Sequence, residues 1–404
     1  MGRIRETFCR GARPLRATPD AIHREPDAPA INIASLREAA RRRLPRAVFD
    51  FVEGGSYDEI TLRANRAALD RLRLRQRVMI DVSARDPGTT IAGEPAGLPI
   101  VLAPTGFMGL VHPDGEIHAA IAAQASNVPL CLSVLSVCTL EEVAAAVAKP
   151  IWFQLYLFKD RHVSQDLLQR AQDAKCRVLV LTMDLHMEGR RDRDLINGFT
   201  IPPRFSLLRA FLSRPRWALA IKRNRHKTLG TLERYVAGPP NLTAATKWLA
   251  KELNVSFDHR DLEWVRRNWP GKLVVKGILD AEDAKIAADL GADAIVVSNH
   301  GGRQLDGAPT PVAAFPKIRD TVGDRVELLF DSGIRSGLDV LKALGLGARA
   351  VFLGRPFLFG LGAYGEAGVR KALEIIAGEL DVGMALTGVT GLTSVPRDLV
   401  LGSD

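Results

Sequence analysis

His300 and Arg303 stand close together in the run Ser298-Asn299-His300-Gly301-Gly302-Arg303-Gln304-Leu305-Asp306. An imidazole moves a proton near neutral pH. A guanidinium offers a planar fork of donors that matches a carboxylate. Side by side, they point to proton-transfer chemistry on an acid. The glycines between them let the backbone come close to a ligand. A single histidine after a strand is as often structural as catalytic, so the reading depends on what else collects at the same end of the fold.

The run follows Ile295-Val296-Val297, which reads as a buried strand ending at a crowded turn. Similar apolar segments recur: Ile100 to Ala103, Leu130 to Val134, Ile151 to Leu155, Val178 to Thr182, Leu273 to Lys276, Ala294 to Ser298, Val326 to Asp331 and Ala350 to Leu353. Most precede helical segments rich in alanine and charge, such as Gly115 to Ala125, Leu140 to Ala148, Ala281 to Leu290 and Gly337 to Leu344. Apolar strands alternating with helices imply a parallel sheet covered on both faces. Eight units close a (β/α)8 TIM barrel of the α/β class. A doubly wound open sheet is the alternative. It calls for a glycine-rich dinucleotide fingerprint after the first strand, and Ala103-Pro104-Thr105-Gly106 is not one.

Helices over Ile33 to Arg43, Arg46 to Glu53 and Thr61 to Leu72 form an N-terminal helical cap. The rhythm breaks between Gly189 and Asp258, which predicts a long insertion after strand 4, about residues 190–257. It mixes prolines and arginines with Phe205, Leu208, Phe211, Trp217 and Leu219. Such a segment reads as a lid or oligomer contact, or as a basic amphipathic surface resting on a membrane. Residues 1–30 read as a disordered basic arm without the apolar core of a secretory signal, and 31–404 as one catalytic domain.

The 404 residues suffice for a large core, and 47% of them are hydrophobic. The net charge of +9 is concentrated in the first forty-odd residues and between Arg190 and Arg234. No basic motif interleaved with aromatics accompanies it, so nucleic acid is not the expected partner. An anionic membrane surface or an acidic substrate explains the charge as well. Cys9, Cys131, Cys138 and Cys176 show no ligand-like spacing. They read as reduced thiols in a cytoplasmic protein without a bound metal.

Barrels of this kind gather their chemistry at the C-terminal strand ends. Those ends supply Pro104, Thr105 and Gly106; Ser133; Gln154 and Tyr156; Thr182 and Asp184; Lys276; Ser298; Asp331, Gly333 and Arg335; and Gly354 and Arg355. Packing alone does not require polar groups at every mouth position. The loops after strands seven and eight pair glycines with Arg335 and Arg355 at helix starts, which suits a phosphorylated cofactor. Ordinary helix capping by Asp331 and Ser336 is the bland alternative. Lys276 suits either a Schiff base or stabilisation of negative charge on a cofactor ring.

With these residues in view, the sequence resembles the FMN-dependent α-hydroxy-acid oxidases and dehydrogenases, from about Ile33 to Leu399. The stretch from Ser298 to Asp306 carries most of the resemblance, supported by Trp152-Phe153-Gln154-Leu155-Tyr156, Lys276-Gly277-Ile278-Leu279-Asp280, Asp331-Ser332-Gly333-Ile334-Arg335 and Leu353-Gly354-Arg355-Pro356. Leu132 to Cys138 and the insertion look most like the bacterial quinone-linked L-lactate dehydrogenases. The resemblance implies FMN across the mouth, its ring near Pro104, Thr105, Gly106, Ser133, Gln154, Thr182, Lys276 and Ser298. Its phosphate side would lie by Asp331, Gly333, Arg335, Gly354 and Arg355. Arg303 and Arg191 would clamp the substrate carboxylate, His300 would take a proton, Asp184 would steady the imidazolium, and Tyr156 would bond the substrate.

The implied reaction is oxidation of an L-2-hydroxy acid, first of all L-lactate, to the 2-oxo acid. Electrons would pass to a quinone or another acceptor. The implied setting is a homo-oligomer, a tetramer in many members, peripheral on the inner face of the cell membrane. One position departs from the family: a tyrosine that touches the carboxylate is Phe51 here, a lost charge-assisted bond of roughly 1.5–3 kcal/mol. A bulkier hydroxy acid, an oxygen-using oxidase, or a flavin-binding protein without turnover are the alternatives. Gly106, where the oxidases commonly carry alanine, favours an acceptor other than dioxygen.

Overall fold

In the computed structural model, residues 30–199 and 212–402 are described. The proposed arm up to residue 29 lies outside them. Eight parallel strands form the barrel: β1 (Ile100–Leu102), β2 (Cys131–Ser133), β3 (Trp152–Leu155), β4 (Val178–Thr182), β5 (Lys272–Ile278), β6 (Ala294–Val297), β7 (Glu327–Asp331) and β8 (Ala350–Leu353). Each pairs with its sequence neighbour, and β8 pairs back onto β1. A bridge between Leu102 and Leu130 closes the ring between β1 and β2.

The continuous apolar strands follow from burial on both faces. In β4, Val178 and Val180 point into the barrel, while Leu179 and Leu181 meet the helical layer. Trp152 and Phe352 fill the interior with Val274, Val296 and Leu329. A hairpin of Thr89–Ile91 with Glu94–Ala96 supplies Ile91, Ala92 and Ala96 to that interior core. Trp152 Nε1, inside the ring, donates to Glu94 at 2.9 Å.

The three cap helices form at Ile33–Arg43, Arg46–Glu53 and Ile60–Arg71. The third begins one residue earlier than the pattern suggested. Its N-terminus is served by a distant acceptor, Asp306, whose carboxylate takes Ile60 N–H at 3.2 Å and Thr61 N–H at 2.8 Å. The helix after β2 stops at Ala145, short of Ala148. Strand β5 runs past Lys276 to Ile278 through an irregularity at Gly277, whose φ is +103°.

Among the described residues, the segment between β4 and β5 contains helices Asp192–Ile196, Pro215–Arg223 and Leu242–Glu252, and a 3-10 turn at Gly230–Tyr235. His259–Asn268 then crosses back to β5; its N-terminus carries a capping box, with Asp258 accepting from Arg260 N–H and donating its own N–H to Asp261. Phe205, Phe211 and the rest of residues 200–211 fall outside the described set.

Candidate active site

The barrel mouth holds a cavity of about 440 Å³. Phe51, Pro104, Thr105, Gly106, Ser133, Tyr156, Arg191, Lys276, His300, Arg303, Asp331, Gly333, Arg335, Gly354 and Arg355 all line it. Asp184, Gln154, Thr182 and Ser298 are not part of that lining. Asp184 and Ser298 hold lining residues in place.

His300 sits on a turn in the left-handed region, with φ +59°. Such a backbone is uncommon outside glycine and needs support. Ser298 Oγ accepts the His300 N–H at 3.0 Å, and Ser332 Oγ accepts the Gly301 N–H at 2.9 Å. Asn299 exchanges hydrogen bonds with Asn65 at 2.7 and 2.9 Å, which ties the turn to the third cap helix.

His300 Nδ1 lies 2.9 Å from Asp184 Oδ1, leaving Nε2 for a substrate. Burial alone would raise the Asp184 carboxyl, but the opposing charges of His300 and Lys276 outweigh it and hold the group below its ordinary range. Gly277 makes this dyad possible: a Cβ there would lie 2.6 Å from Asp184 Cγ. Gln304 ties the two loops together, donating to Asp184 O at 2.8 Å and Met187 O at 2.9 Å.

Arg303 Nη1 donates to the carbonyls of Phe51 (2.7 Å) and Gly54 (2.9 Å). Its guanidinium carbon lies 5.1 Å from the centroid of the Phe51 ring. That ring stacks on Phe199 at 4.5 Å and meets Phe107 edge-on at 5.9 Å. Burial, with Arg191 and Arg355 nearby, pushes the Arg303 guanidinium well below its usual range. Arg191 itself is held by Glu188 at 3.0 Å and Asp194 at 3.5 Å. Buried positive charge in this corner suits an anionic ligand. Tyr156 is buried beside Asp184, Arg191 and Arg303; desolvation and the Asp184 charge raise its phenol.

On the opposite side, Lys276 Nζ lies 3.3 Å from Asp331 and 3.2 Å from Ser298 Oγ, which also donates to Asp331. Burial would lower the lysine, but Asp331 and Asp184 keep it raised and charged. Asp331 is therefore a partner of Lys276, whereas Ser336 is the cap that takes Asp339 N–H at 3.1 Å. Burial pushes Arg335 down to about 10 and Arg355 to about 9, and Arg335 adds to the fall of its neighbour Arg355. Arg355 also braces the cap, donating to Val52, Glu53 and Gly54 carbonyls and to Gly301.

Three polar atoms point to the group this rim holds. Thr105 Oγ1, Gln154 Nε2 and Thr182 Oγ1 are buried and lack a hydrogen-bond partner among the described residues. Such atoms are expensive to leave unmade. They lie at strand ends between Lys276 and the two arginines, so a planar polar ring with a phosphate tail fits the donor set.

The sequence matches the family model described as FMN-dependent dehydrogenase over residues 40–401. The chain belongs to the FMN-dependent dehydrogenase family. Its cofactor is FMN. An L-lactate dehydrogenase of Caulobacter vibrioides (strain NA1000 / CB15N) is 48% identical over 369 residues, covering 90% of this chain and 96% of the relative. One from Yersinia pestis (strain Pestoides F) is 44% identical over 371 residues, covering 91% and 97%. Among solved structures, the monotopic membrane protein (S)-mandelate dehydrogenase superposes with a TM-score of 0.88 at 34% identity, over 93% of this chain and 100% of that one. A mandelate oxidase gives 0.79 at 39% identity, over 92% and 98%.

Several supporting residues of this FMN-dependent dehydrogenase carried no assigned role in the sequence reading. Asn65, Ser332 and Phe199 are remote in sequence from the groups they brace. Asn299, Gln304 and Asp306 stood in plain view, since an unbroken polar run after a buried strand is itself the signal.

Proposed function

We propose that this enzyme oxidises an L-2-hydroxy acid, L-lactate foremost, to the 2-oxo acid. The observation carrying this reading is the His300–Asp184 pair placed beside Arg303 on one cavity. Arg303 and Arg191 would hold the substrate carboxylate. His300 Nε2 would accept a proton from the hydroxyl-bearing centre, and Asp184 would stabilise the imidazolium that forms. Tyr156, kept neutral by burial, would donate to the developing oxyanion. Bound FMN supplies the acceptor for the two electrons. Ser133, Gln154, Thr182 and Lys276 would hold its ring, with Pro104, Thr105, Gly106 and Ser298 beside it. Gly333, Arg335, Gly354 and Arg355 would hold its phosphate, and Asp331 would fix the lysine.

Anaerobic mixing with L-lactate is expected to bleach the flavin absorbance. A panel of 2-hydroxy acids that all leave the flavin oxidised overturns the reading. Phe51, Phe107 and Leu135 give the mouth an apolar side that also favours bulkier acids, as do the mandelate-named structures. Rates on mandelate against lactate decide between them.

The reading extends to a quinone acceptor, a homo-oligomer and peripheral membrane contact. No helix of the described residues is long and apolar enough to cross a membrane. Met187, Ile196 and Leu212 nevertheless stand 77%, 79% and 75% exposed around an arginine-rich insertion, which supports surface attachment. Reoxidation by a quinone analogue faster than by oxygen is the expected result.

A further inference from the structure

A second cavity, of about 410 Å³, opens between the end of helix Ile33–Arg43 and the start of helix Pro215–Arg223. Among the described residues, it shares no lining residue with the barrel mouth. Arg42, Arg43, Arg214 and Arg216 line it, and among the described lining residues there is no carboxylate. Glu38 reaches Arg42 at 3.0 Å from outside the cavity. Arg43 is held in place, donating to Ala363 O and lying 4.2 Å from the Tyr364 ring centroid. Trp217 forms part of the wall and is anchored by Nε1 donating to Leu110 O at 3.0 Å.

Two further observations mark the cavity as built for an anion. No side-chain hydrogen bond from Arg214 caps the start of helix Pro215–Arg223, where the positive dipole end favours an anion. Arg214 Nη1 donates to Ser213 O at 2.8 Å, but its Nε is buried and has no hydrogen-bond partner among the described residues. Four guanidiniums with so little negative charge repel one another, and a multiply bonded oxyanion would relieve that.

We propose that this cavity is a phosphate-ester site separate from the FMN position, filled by an anionic lipid headgroup or by a soluble phosphate ester. Leu212 and Leu219, 75% and 41% exposed on the same segment, would enter the acyl boundary while the arginines grip the phosphate. The lipid source rests on the membrane contact proposed above; the phosphate site does not.

The test uses the FMN-loaded full chain, so that the cofactor position is filled. Wild type and the double variant Arg214→Gln/Arg216→Gln are sedimented with phosphatidylglycerol-containing vesicles and with pure phosphatidylcholine vesicles. Both proteins are also titrated with inorganic pyrophosphate by calorimetry. If a lipid is the source, wild type prefers the anionic vesicles, and the double variant loses about 25-fold in partitioning, about fivefold per arginine. If a soluble ester is the source, vesicle binding shows no such preference, yet pyrophosphate binds wild type at least tenfold tighter than the variant. Equal behaviour of the two proteins in both assays, or no binding of either ligand to wild type, overturns the proposal. Flavin content and hydroxy-acid turnover with a soluble dye remain unchanged in the variant, which separates loss of the site from misfolding. Should the double variant misfold, Arg216→Gln alone serves, with an expected loss of about fivefold.

Discussion

On the side of the mouth where we propose FMN sits, Ser133, Gln154, Thr182, Lys276 and Asp331 stand directly on barrel strands or in their last register positions. On the side proposed for the substrate, Phe51 comes from a cap helix, Arg191 from the insertion, and His300 and Arg303 from the turn after β6. The first group is fixed by the same backbone ladder that makes the barrel. The second is fixed by crossings between distant segments: Asn65 to Asn299, Asp306 to Thr61, Gln304 to Asp184, and Arg303 to Phe51 O. A barrel can therefore keep one cofactor and change its acid, because substitutions on the crossing segments leave the strand ends untouched.

Variants that strike one side should spare the other. The largest effect is expected from His300→Ala, which should retain FMN and lose about 10²–10⁴-fold in flavin reduction rate by stopped flow. Normal reduction in that variant would remove His300 from its role. Asp184→Asn comes next, with a loss on the order of a hundredfold and unchanged FMN content. It carries a stability signature too. Because the Asp184 carboxyl is held low, folding favours its ionised form; that contribution is complete above about pH 4 and lost as pH falls through the depressed value. The variant should show a flatter acid limb in urea melts below about pH 4.

Arg335→Gln should do the reverse, weakening FMN by roughly 10- to 100-fold in apoenzyme titrations, the worth of one charge-assisted bond, while the reloaded enzyme turns over normally. Phe51→Tyr is the mildest. It restores a donor beside Arg303 and should lower KM for lactate by about tenfold, the low end of one charge-assisted bond, with kcat nearly unchanged. A turnover that rises sharply from near zero would instead favour a protein that had lost its activity through this one position.

The strand-borne half was largely legible in the sequence, since apolar runs with polar ends set strand limits to within a residue or two, as at Val178–Thr182 and Ala350–Leu353. Lys276, Asp331 and the paired arginines could be named because a strand end fixes where its side chain goes. The crossing half was legible as residue types but not as partners. Nothing local says that Asp306 caps a helix more than two hundred residues earlier, or that Asp331 serves Lys276 and leaves the capping to Ser336. The stack of Phe199 on Phe51 belongs to the same class, since aromatic contacts across an insertion have no sequence period.

The buried pairing of Asn65 with Asn299 joins the helical cap to the left-handed turn that carries the imidazole. Peeling that helix away removes two complementary amide contacts at once and frees a strained turn to relax, while all eight strands stay zipped. Gentle heating or a proteolytic nick in the cap is thus expected to silence the enzyme before its barrel melts, read as turnover lost ahead of the far-UV circular dichroism transition.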